Sequence, residues 1–307
     1  MIKCITPTPR SWSQADVTDA FEIAAQLGQW VSLSDPIDWA ELLTRDDNDL
    51  TNSKVYAASL WQTHLIREHK LNLFLQIDPY PTPRTGRLGS KLPPGYQDFT
   101  FANEDIRRLY LQEVLRRIAW YRPQIVCVAM EINSYGYENP GDWLNWMSLF
   151  ADTKAEIKKM CGHDAPLVCC SVQWEHLNGL MTAGAREWRE FIELTVIGDV
   201  IGISSYPHIR HPEPRDIPAD YYSLIPAHTD KPVMFAELGW PTGSETRMQR
   251  AFINCLPKLL GGMNVTLANW IALHDGAYGP PFDSMGLIRA DSTKKPGYAA
   301  WEMMGTL

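Results

Sequence analysis

The sequence lacks long apolar runs and runs of basic residues. No uninterrupted apolar segment approaches the roughly 20 residues of a membrane-spanning helix, and residues 1–10 lack the apolar core of a signal peptide. The chain carries 28 Lys and Arg against 36 Asp and Glu, and no basic cluster is available to follow a phosphate backbone. Neither a membrane nor a nucleic acid is an expected partner. The compartment stays open: cytoplasmic, or secreted or periplasmic if a leader was removed.

The sequence also lacks the motifs that hold nucleotides, metals and activated serines. No Gly-x-Gly-x-x-Gly or Walker pattern follows an apolar run, and no Gly-x-Ser-x-Gly elbow is present. The six cysteines show no Cys-x-x-Cys or Cys/His spacing, and four fall inside strand-like runs, which is typical of buried thiols. We therefore expect no cofactor and no bound metal.

Short apolar runs alternate with longer segments of helical periodicity, which is typical of βα units around a parallel sheet. The strand-like runs are residues 2–6, 29–34, 71–78, 124–131, 167–173, 200–206, 232–237 and 265–272. The helical segments are residues 14–27, 50–69, 104–121, 142–160, 186–195, a short stretch near Tyr221, 245–259 and 296–303. Eight such units without a linker or a change of composition predict a single (β/α)8 TIM barrel, one catalytic domain over residues 1–307.

Several links that follow strands are much longer than the links that precede them. The third, sixth and eighth strand-to-helix links span about residues 79–103, 207–214 and 274–295. In a (β/α)8 barrel these loops build the C-terminal face, where active sites lie. Residues at the ends of the strands are therefore the first candidates for function.

Two predicted strands end in an isolated glutamate after an apolar run: Glu131 ends the fourth and Glu237 the seventh. An apolar strand has little reason to end in a carboxylate unless that group meets water, a partner or a substrate. Cleavage of a glycosidic bond requires two carboxyls, one to protonate the leaving oxygen and one to attack the anomeric carbon or activate water. A salt-bridged strand end is the simpler interpretation for either residue alone, but the pair favours catalysis.

Four segments resemble the clan A retaining glycoside hydrolases, which are (β/α)8 barrels. Residues 129–133 (AMEIN) are similar to the Asn-Glu-Ile-Asn stretch of endo-β-1,4-galactanases, and residues 200–207 (VIGISSYP) resemble their sixth strand. Residues 236–242 (AELGWPT) resemble the Glu-Ser-Gly-Trp-Pro segment of plant-type β-1,3-glucanases. Parts of residues 286–301 resemble the closing segment of the clan. The matches fall in the last three fifths of the chain.

This resemblance implies a retaining glycosidase that cleaves β-glycosidic bonds of an oligo- or polysaccharide. Glu131 is then the general acid/base and Glu237 the nucleophile. Two positions depart from the clan pattern: Met130 stands where the clan has Asn, and residues 32–35 lack an Arg that is common at the end of strand two. Because methionine is a poor hydrogen-bonding group, Asn133 or Gln173 is the candidate for the missing polar contact.

Further polar and aromatic residues fall at predicted strand ends or in the loops that follow. Asp78 suits either a sugar-binding role or an Asx turn, and the sequence leaves both open. Glu175 is a third carboxylate and an alternative to one of the pair. The family positions imply that Tyr206 hydrogen-bonds the nucleophile and that Trp270 floors the sugar site. The other candidate substrate contacts are Asn133, Tyr135, Tyr137, Gln173, Trp174, His208, Trp240 and Tyr278.

Two other functions remain open at this point. Met130 suggests a carbohydrate-binding barrel that no longer hydrolyses its ligand. The eight histidines suggest a metal-dependent barrel hydrolase as another alternative. Such enzymes usually carry a His-x-His pair on strand one, where this chain has only Lys3 and Cys4. The sequence does not select a glycan, an endo or exo mode, or an oligomeric state.

Overall fold

The computed structural model describes residues 1–44, 54–80, 88, 99–181, 188–243 and 246–305. Within these residues, nine strands form one parallel sheet in the order β5-β4-β3-β2-β1-β9-β8-β7-β6. They are β1 (Ile2–Ile5), β2 (Trp30–Pro36), β3 (Asn72–Asp78), β4 (Ile125–Cys127), β5 (Leu167–Cys169), β6 (Ser171–Gln173), β7 (Ile201–Ser205), β8 (Val233–Leu238) and β9 (Val265–Trp270).

The two ends of this sheet belong to one stretch of chain. β5 pairs with β4 and β6 pairs with β7, and only Cys170 separates β5 from β6. Backbone bonds from Ser171 N to the Ala129 carbonyl (2.9 Å) and from Gly202 N to the Cys170 carbonyl (2.9 Å) close the ring there. The prediction of a (β/α)8 barrel is confirmed, with the fifth strand split into two.

The described helices surround the ring. They are α1 (Gln14–Leu27), α2 (Trp39–Thr44), α3 (Lys54–Glu68), α4 (Glu104–Tyr121), α5 (Ile132–Glu138), α6 (Trp143–Cys161), α7 (Trp174–Leu177), α8 (Arg189–Ile197), α9 (Ile225–His228), α10 (Thr246–Leu260) and α11 (Pro296–Met303). α1, α4 and α11 have the predicted bounds. Ser13 and Asn103 cap α1 and α4 by accepting from backbone amides one turn into the helix. The predicted starts at residues 50–53, 186–187 and 245 lie outside the described residues.

Three short helices that the sequence did not predict, α2, α5 and α7, follow strands on the side of the barrel where the long loops lie. Local caps explain two of them: Asp38 Oδ1 accepts from Glu41 N (3.0 Å), and Gln173 Oε1 accepts from His176 N (2.6 Å). The short helix expected near Tyr221 lies slightly later, at α9. Most of the long link after β3, residues 81–87 and 89–98, falls outside the described residues.

The barrel has an apolar layer outside the sheet and a second apolar cluster inside it. Leu73, Leu75 and Ile77 of β3 pack with the surrounding helices, whereas Phe74 joins an inner cluster drawn from strands around the ring. The other members of that cluster are Cys4, Ile125, Cys127, Met130, Cys169, Val200, Met234, Ala236 and Leu267. The side chains of β3 thus alternate between the two layers, as strand geometry requires, and the four strand cysteines are buried free thiols.

The described residues contain no helix that is long and apolar enough to cross a membrane.

Candidate active site

A cavity of about 580 Å³ opens at the C-terminal ends of the strands, on the face where (β/α)8 barrels carry their active sites. Both glutamates selected from the sequence line it. The complete lining is Ser34, Pro36, Asp78, Met130, Glu131, Tyr206, Glu237, Ile271, Tyr278, Gly279, Pro280 and Phe282.

Glu237 lies at a bulge in β8. The register passes from Ile203↔Phe235 to Ser204↔Glu237, so β8 contains one residue more than β7 at this point, and the pairing of β8 with β9 shifts at the same place. A bulge changes the direction of the side chain beside it, and bulges are common next to active sites. Here the side chain of Glu237 lines the cavity.

The bulge turns the carbonyl of Ala236 away from the strand ladder and toward buried amides. Gln76 Nε2 donates to this oxygen at 3.1 Å and Asn269 Nδ2 at 2.9 Å. Gln76 and Asn269 bond in turn to the hydroxyls of Ser32 (2.8 Å) and Thr6 (3.1 Å). A buried polar layer therefore fixes the backbone directly before Glu237, because the Ala236 carbonyl gains two donors in place of the strand partner that it lacks.

Tyr206 holds the carboxylate of Glu237 directly. Its hydroxyl donates to Glu237 Oε2 at 2.5 Å, the short distance expected for an O–H bond to a charged acceptor. Burial, followed by the charges of Glu237 and Glu131, raises the pKa of Tyr206 well above its usual value, so the phenol stays protonated as a donor. The hydrogen bond between Tyr206 and the candidate nucleophile agrees with the expectation from the sequence.

Glu131 is placed by its backbone conformation. Regular β4 ends at Cys127 rather than at residue 131, although Val128 N still donates to the Cys169 carbonyl at 2.8 Å. Glu131 has φ 48° and ψ 38°, the left-handed region that non-glycine residues rarely occupy, and α5 begins immediately after it. Strained backbone of this kind concentrates at functional sites. The predicted end of the fourth strand was therefore wrong by four residues, because the chain turns before the glutamate.

Ser171 connects Glu131 and Met130 to β6. Its hydroxyl oxygen accepts from Glu131 N at 2.9 Å and lies 3.6 Å from the sulfur of Met130. Met130 lines the cavity and is 2% exposed. The position where the clan has Asn thus faces the cavity, as the resemblance implied, and it presents a thioether there.

Asn133, Gln173 and Glu175 form a buried layer behind the cavity and do not line it. Asn133 clamps the backbone of Gln173, accepting from its N–H at 2.8 Å and donating to its carbonyl at 3.2 Å. Gln173 Nε2 donates to Glu175 Oε2 at 2.6 Å. In this position neither amide replaces the missing Asn at the cavity wall, and Glu175 is no alternative to Glu131 or Glu237.

Asp78 lies at the cavity wall and also forms the Asx turn that the sequence left open. Its side chain lines the cavity at the end of β3, and its Oδ1 accepts from Tyr80 N at 3.0 Å in an Asx-type turn. On the opposite wall, Tyr278 lines the cavity from the loop after β9. Burial and the charge of Glu237 raise the pKa of Tyr278.

Four predicted aromatic contacts lie outside the cavity, so their expected roles need correction. Trp270 is fully buried, and its indole donates to the Met285 carbonyl at 2.9 Å and packs against Trp301. Strand alternation explains its place: Leu267 and Asn269 point into the barrel, so Trp270 points out and Ile271 reaches the cavity. The remaining three, Tyr135, Trp174 and Trp240, are also buried against other aromatic rings.

His208 lies beside the cavity without lining it. Its ring packs edge-on against Tyr206 (6.1 Å between centroids) and Trp240 (5.9 Å) in the turn after β7. Burial lowers the pKa of His208 to about 4. It supports the wall of the site through Tyr206.

The sequence missed the apolar part of the wall. Pro36, Ile271 and Phe282 line the cavity, and Phe282 packs edge-on against Tyr206 at 5.0 Å between ring centroids. The alternation of side chains along β9 is enough to predict that Ile271 faces the cavity. The position of Phe282 depends instead on how the loop after β9 folds back. Among the described residues, no three His, Cys, Asp or Glu side chains are grouped to hold a metal ion, so the metal-dependent alternative gains no support there.

Comparison with known proteins identifies the same architecture. No family profile and no curated protein sequence matches this chain. Solved structures do: a variant of GH5_18 from Streptomyces cattleya in complex with Manβ1-4GlcNAc has a TM-score of 0.72 at 13% identity, covering 98% of this chain and 79% of that one. The exo-β-1,4-mannosidase Op5Man5 from an Opitutaceae bacterium has a TM-score of 0.71 at 14% identity, covering 98% of this chain and 58% of that one. A fungal β-1,4-galactanase has a TM-score of 0.68 at 10% identity, covering 99% of each chain. At these identities the likeness shows the fold, the barrel that the resemblance implied.

Proposed function

We propose that residues 1–307 form one catalytic domain, a retaining β-glycoside hydrolase with Glu131 as general acid/base and Glu237 as nucleophile. The observation that carries the proposal is the cavity at the C-terminal face, where both glutamates meet and Tyr206 donates to Glu237 at 2.5 Å. A donor on one oxygen orients a carboxylate and keeps it ionised, which a nucleophile requires. The likeness to glycoside hydrolase barrels supports the same assignment.

In the proposed double displacement, Glu237 attacks the anomeric carbon while Glu131 gives its proton to the leaving oxygen. The bond from the anomeric carbon to that oxygen breaks, and a glycosyl ester with Glu237 forms. Glu131 then removes a proton from water, which attacks the anomeric carbon and releases Glu237. This path requires the two carboxyls to lie about 5–5.5 Å apart when sugar is bound.

The proposed substrate is an oligo- or polysaccharide with β-linked pyranose units. The names of the three structural neighbours share a β-1,4 linkage, in Manβ1-4GlcNAc, in β-1,4-mannosidase and in β-1,4-galactanase. The apolar wall of Met130, Ile271 and Phe282 suits the C–H face of a sugar ring, and Asp78 offers an acceptor for hydroxyls. A screen should therefore begin with β-1,4-mannans, β-1,4-galactans and N-acetylglucosamine-containing oligosaccharides.

The test compares two leaving groups in Glu131→Ala and Glu237→Ala. Glu237→Ala should abolish hydrolysis of every substrate. Glu131→Ala should lower the rate on a poor leaving group by about 10²- to 10⁴-fold, the usual size of general acid catalysis. The same variant should still release dinitrophenolate in a burst, because that group leaves without a proton. Glu138→Gln, an exposed glutamate on α5, is the control.

Unchanged rates in either alanine variant would overturn the assignment of that residue. Proton NMR of the first-formed sugar should show the β anomer, and an initial α anomer would exclude double displacement.

Met130 favours a second candidate, a carbohydrate-binding barrel without turnover. It occupies the cavity wall where the clan presents an amide to the sugar. Calorimetry that detects glycan binding, together with no cleavage across the same panel, would select this function. Any cleavage that Glu131→Ala removes would exclude it.

A further inference from the structure

Glu175 is a buried carboxylate that the proposed double displacement does not use. It is fully buried on α7, behind the cavity wall. Its Oε1 accepts from Ser205 Oγ (2.6 Å), Tyr206 N (3.0 Å) and the Tyr221 hydroxyl (2.9 Å), and its Oε2 accepts from Gln173 Nε2 (2.6 Å). An isolated buried charge is costly, so a carboxylate with four partners indicates a site built around it.

The partners show how Glu175 is held. The Tyr206 backbone N–H and Nε2 of Gln173 can only donate, and each contacts a different carboxylate oxygen. Both oxygens of Glu175 therefore act as acceptors, as they do in the ionised form. Burial raises the pKa of Glu175, and the bonds from Ser205, Tyr206 and Tyr221 oppose that rise.

On one side, Glu175 connects to the candidate nucleophile. The Tyr206 backbone is fixed at Glu175 Oε1, and the Tyr206 phenol is fixed at Glu237 Oε2. Ser205, the last residue of β7, is held by the same oxygen and also contacts the Tyr222 hydroxyl at 2.8 Å. A shift of the Glu175 carboxylate would therefore move the Tyr206 backbone, and with it the phenol that contacts Glu237.

On the other side, Glu175 connects to the candidate acid/base. Gln173 holds Glu175 Oε2, and the backbone of Gln173 is clamped by Asn133, two residues after Glu131. A continuous series of hydrogen bonds thus runs from the segment that carries Glu131 to the carboxylate of Glu237. The links from Asn133 through Gln173 and Glu175 to the Tyr206 backbone are buried, where hydrogen bonds are strongest, and the last link, from Tyr206 to Glu237, is partly buried at the cavity wall.

We propose that Glu175 is a positioning residue that sets the relative placement of Glu131 and Glu237 through Tyr206 and Gln173. The effect on the reaction rests on the proposed function. The effect on geometry does not, since it concerns the contact between Tyr206 and Glu237 in the free protein.

The first test is structural and needs no activity. Crystal structures of the wild type, Glu175→Gln and Glu175→Asp should show the Tyr206–Glu237 hydrogen bond lengthened or broken in both variants. Glutamine places an N–H₂ group against a donor, and aspartate withdraws the carboxylate by one methylene. An intact Tyr206–Glu237 contact in a folded variant would overturn the proposal, whether or not the protein hydrolyses a glycoside. The aspartate variant keeps the charge and serves if the glutamine variant does not fold.

The second test separates kcat from KM. For a substrate that the wild type cleaves, Glu175→Gln should lower kcat at least tenfold and change KM less than threefold. Asp199→Asn is the matched control, because Asp199 lies at the N-terminal ends of β5 and β7, away from the cavity. Asp199 accepts from Lys154 Nζ (2.5 Å) and from the Val168 amide (3.0 Å). This variant should lower the midpoint of thermal unfolding while leaving kcat within twofold. An unchanged kcat in Glu175→Gln would overturn the proposal, whereas full activity in Glu237→Ala would overturn the proposed function instead.

Discussion

Glu131 and Glu237 reach the same cavity by different means. Glu237 lies within β8, at its bulge, and side-chain hydrogen bonds hold both its carboxylate and the carbonyl before it. Glu131 lies beyond its strand, in a left-handed conformation, with a bond from its own amide to Ser171. The comparison indicates that Glu237 depends on a network of side chains, whereas Glu131 depends on the path of its backbone.

This difference suits the two proposed roles. A nucleophile must stay ionised and aimed at one carbon atom, so a donor on its oxygen is useful. For Glu131, the left-handed backbone and the bond from its own amide to Ser171 fix the point from which the side chain enters the cavity.

Among changes in the residues that support the two glutamates, the largest expected effect comes from Tyr206→Phe, which removes the donor from Glu237 and leaves the ring. A hydrogen bond to a charged group is worth about 1.5–3 kcal/mol, so kcat should fall about 10- to 100-fold. Steady-state kinetics on an aryl glycoside measure this. Tyr137→Phe, at an exposed tyrosine on α5, is the control and should keep the wild-type rate. A wild-type rate in Tyr206→Phe would show that Glu237 does not depend on this side-chain hydrogen bond.

Ser171→Ala tests how far Glu131 depends on the hydrogen bond from its backbone amide. Glu131 N would lose its acceptor, at a cost of about 1–2 kcal/mol in the free energy of unfolding for an unsatisfied buried donor. Because the left-handed backbone still directs the side chain, we expect kcat to fall less than in Tyr206→Phe, by about threefold to tenfold. Urea denaturation and kinetics on the same preparation test both values. A larger loss of kcat than in Tyr206→Phe would show that Glu131 also depends on side-chain support.

The last effect is on stability rather than on rate and concerns pH and His208, which packs against Tyr206. Burial lowers the pKa of His208 to about 4 in the folded state, against 6.5 ordinarily, so folding favours the neutral ring. Its contribution to stability is present above pH 6.5 and is lost as the pH falls through about 4. With allowance for partial exposure, wild type should lose about 2 kcal/mol more than His208→Gln between pH 7 and 4. Urea unfolding midpoints of both proteins between pH 7 and 4 test this difference. The same pH dependence in wild type and His208→Gln would contradict it.

The sequence predicted the barrel because its strands and helices alternate in the local pattern of hydrophobicity. It also selected Glu131 and Glu237, since a carboxylate after an apolar run is visible without a structure. The alternation of side chains along β9 places Trp270 outside the barrel and Ile271 inside, as the alternation along β3 does for Leu75 and Phe74. The family position of a tryptophan was a weaker guide than the local periodicity.

Other features required three dimensions. The bulge in β8 adds one residue relative to both neighbours, and no pattern within β8 alone reveals such an offset. Glu175 follows Gln173 and Trp174 in sequence as another residue near a strand end. Its burial behind the cavity depends on Ser205, Tyr206 and Tyr221, which lie 30 or more residues away. Contacts over such separations leave no mark on local periodicity.

The left-handed backbone at Glu131 has a consequence for how this sequence drifts under mutation. A residue with a Cβ in that conformation costs about 1–2 kcal/mol, which glycine avoids and asparagine partly avoids. Random substitution combined with selection for folding alone would therefore favour replacing Glu131 by one of these two. In this chain the position holds glutamate, which has the least favourable backbone energy of the three.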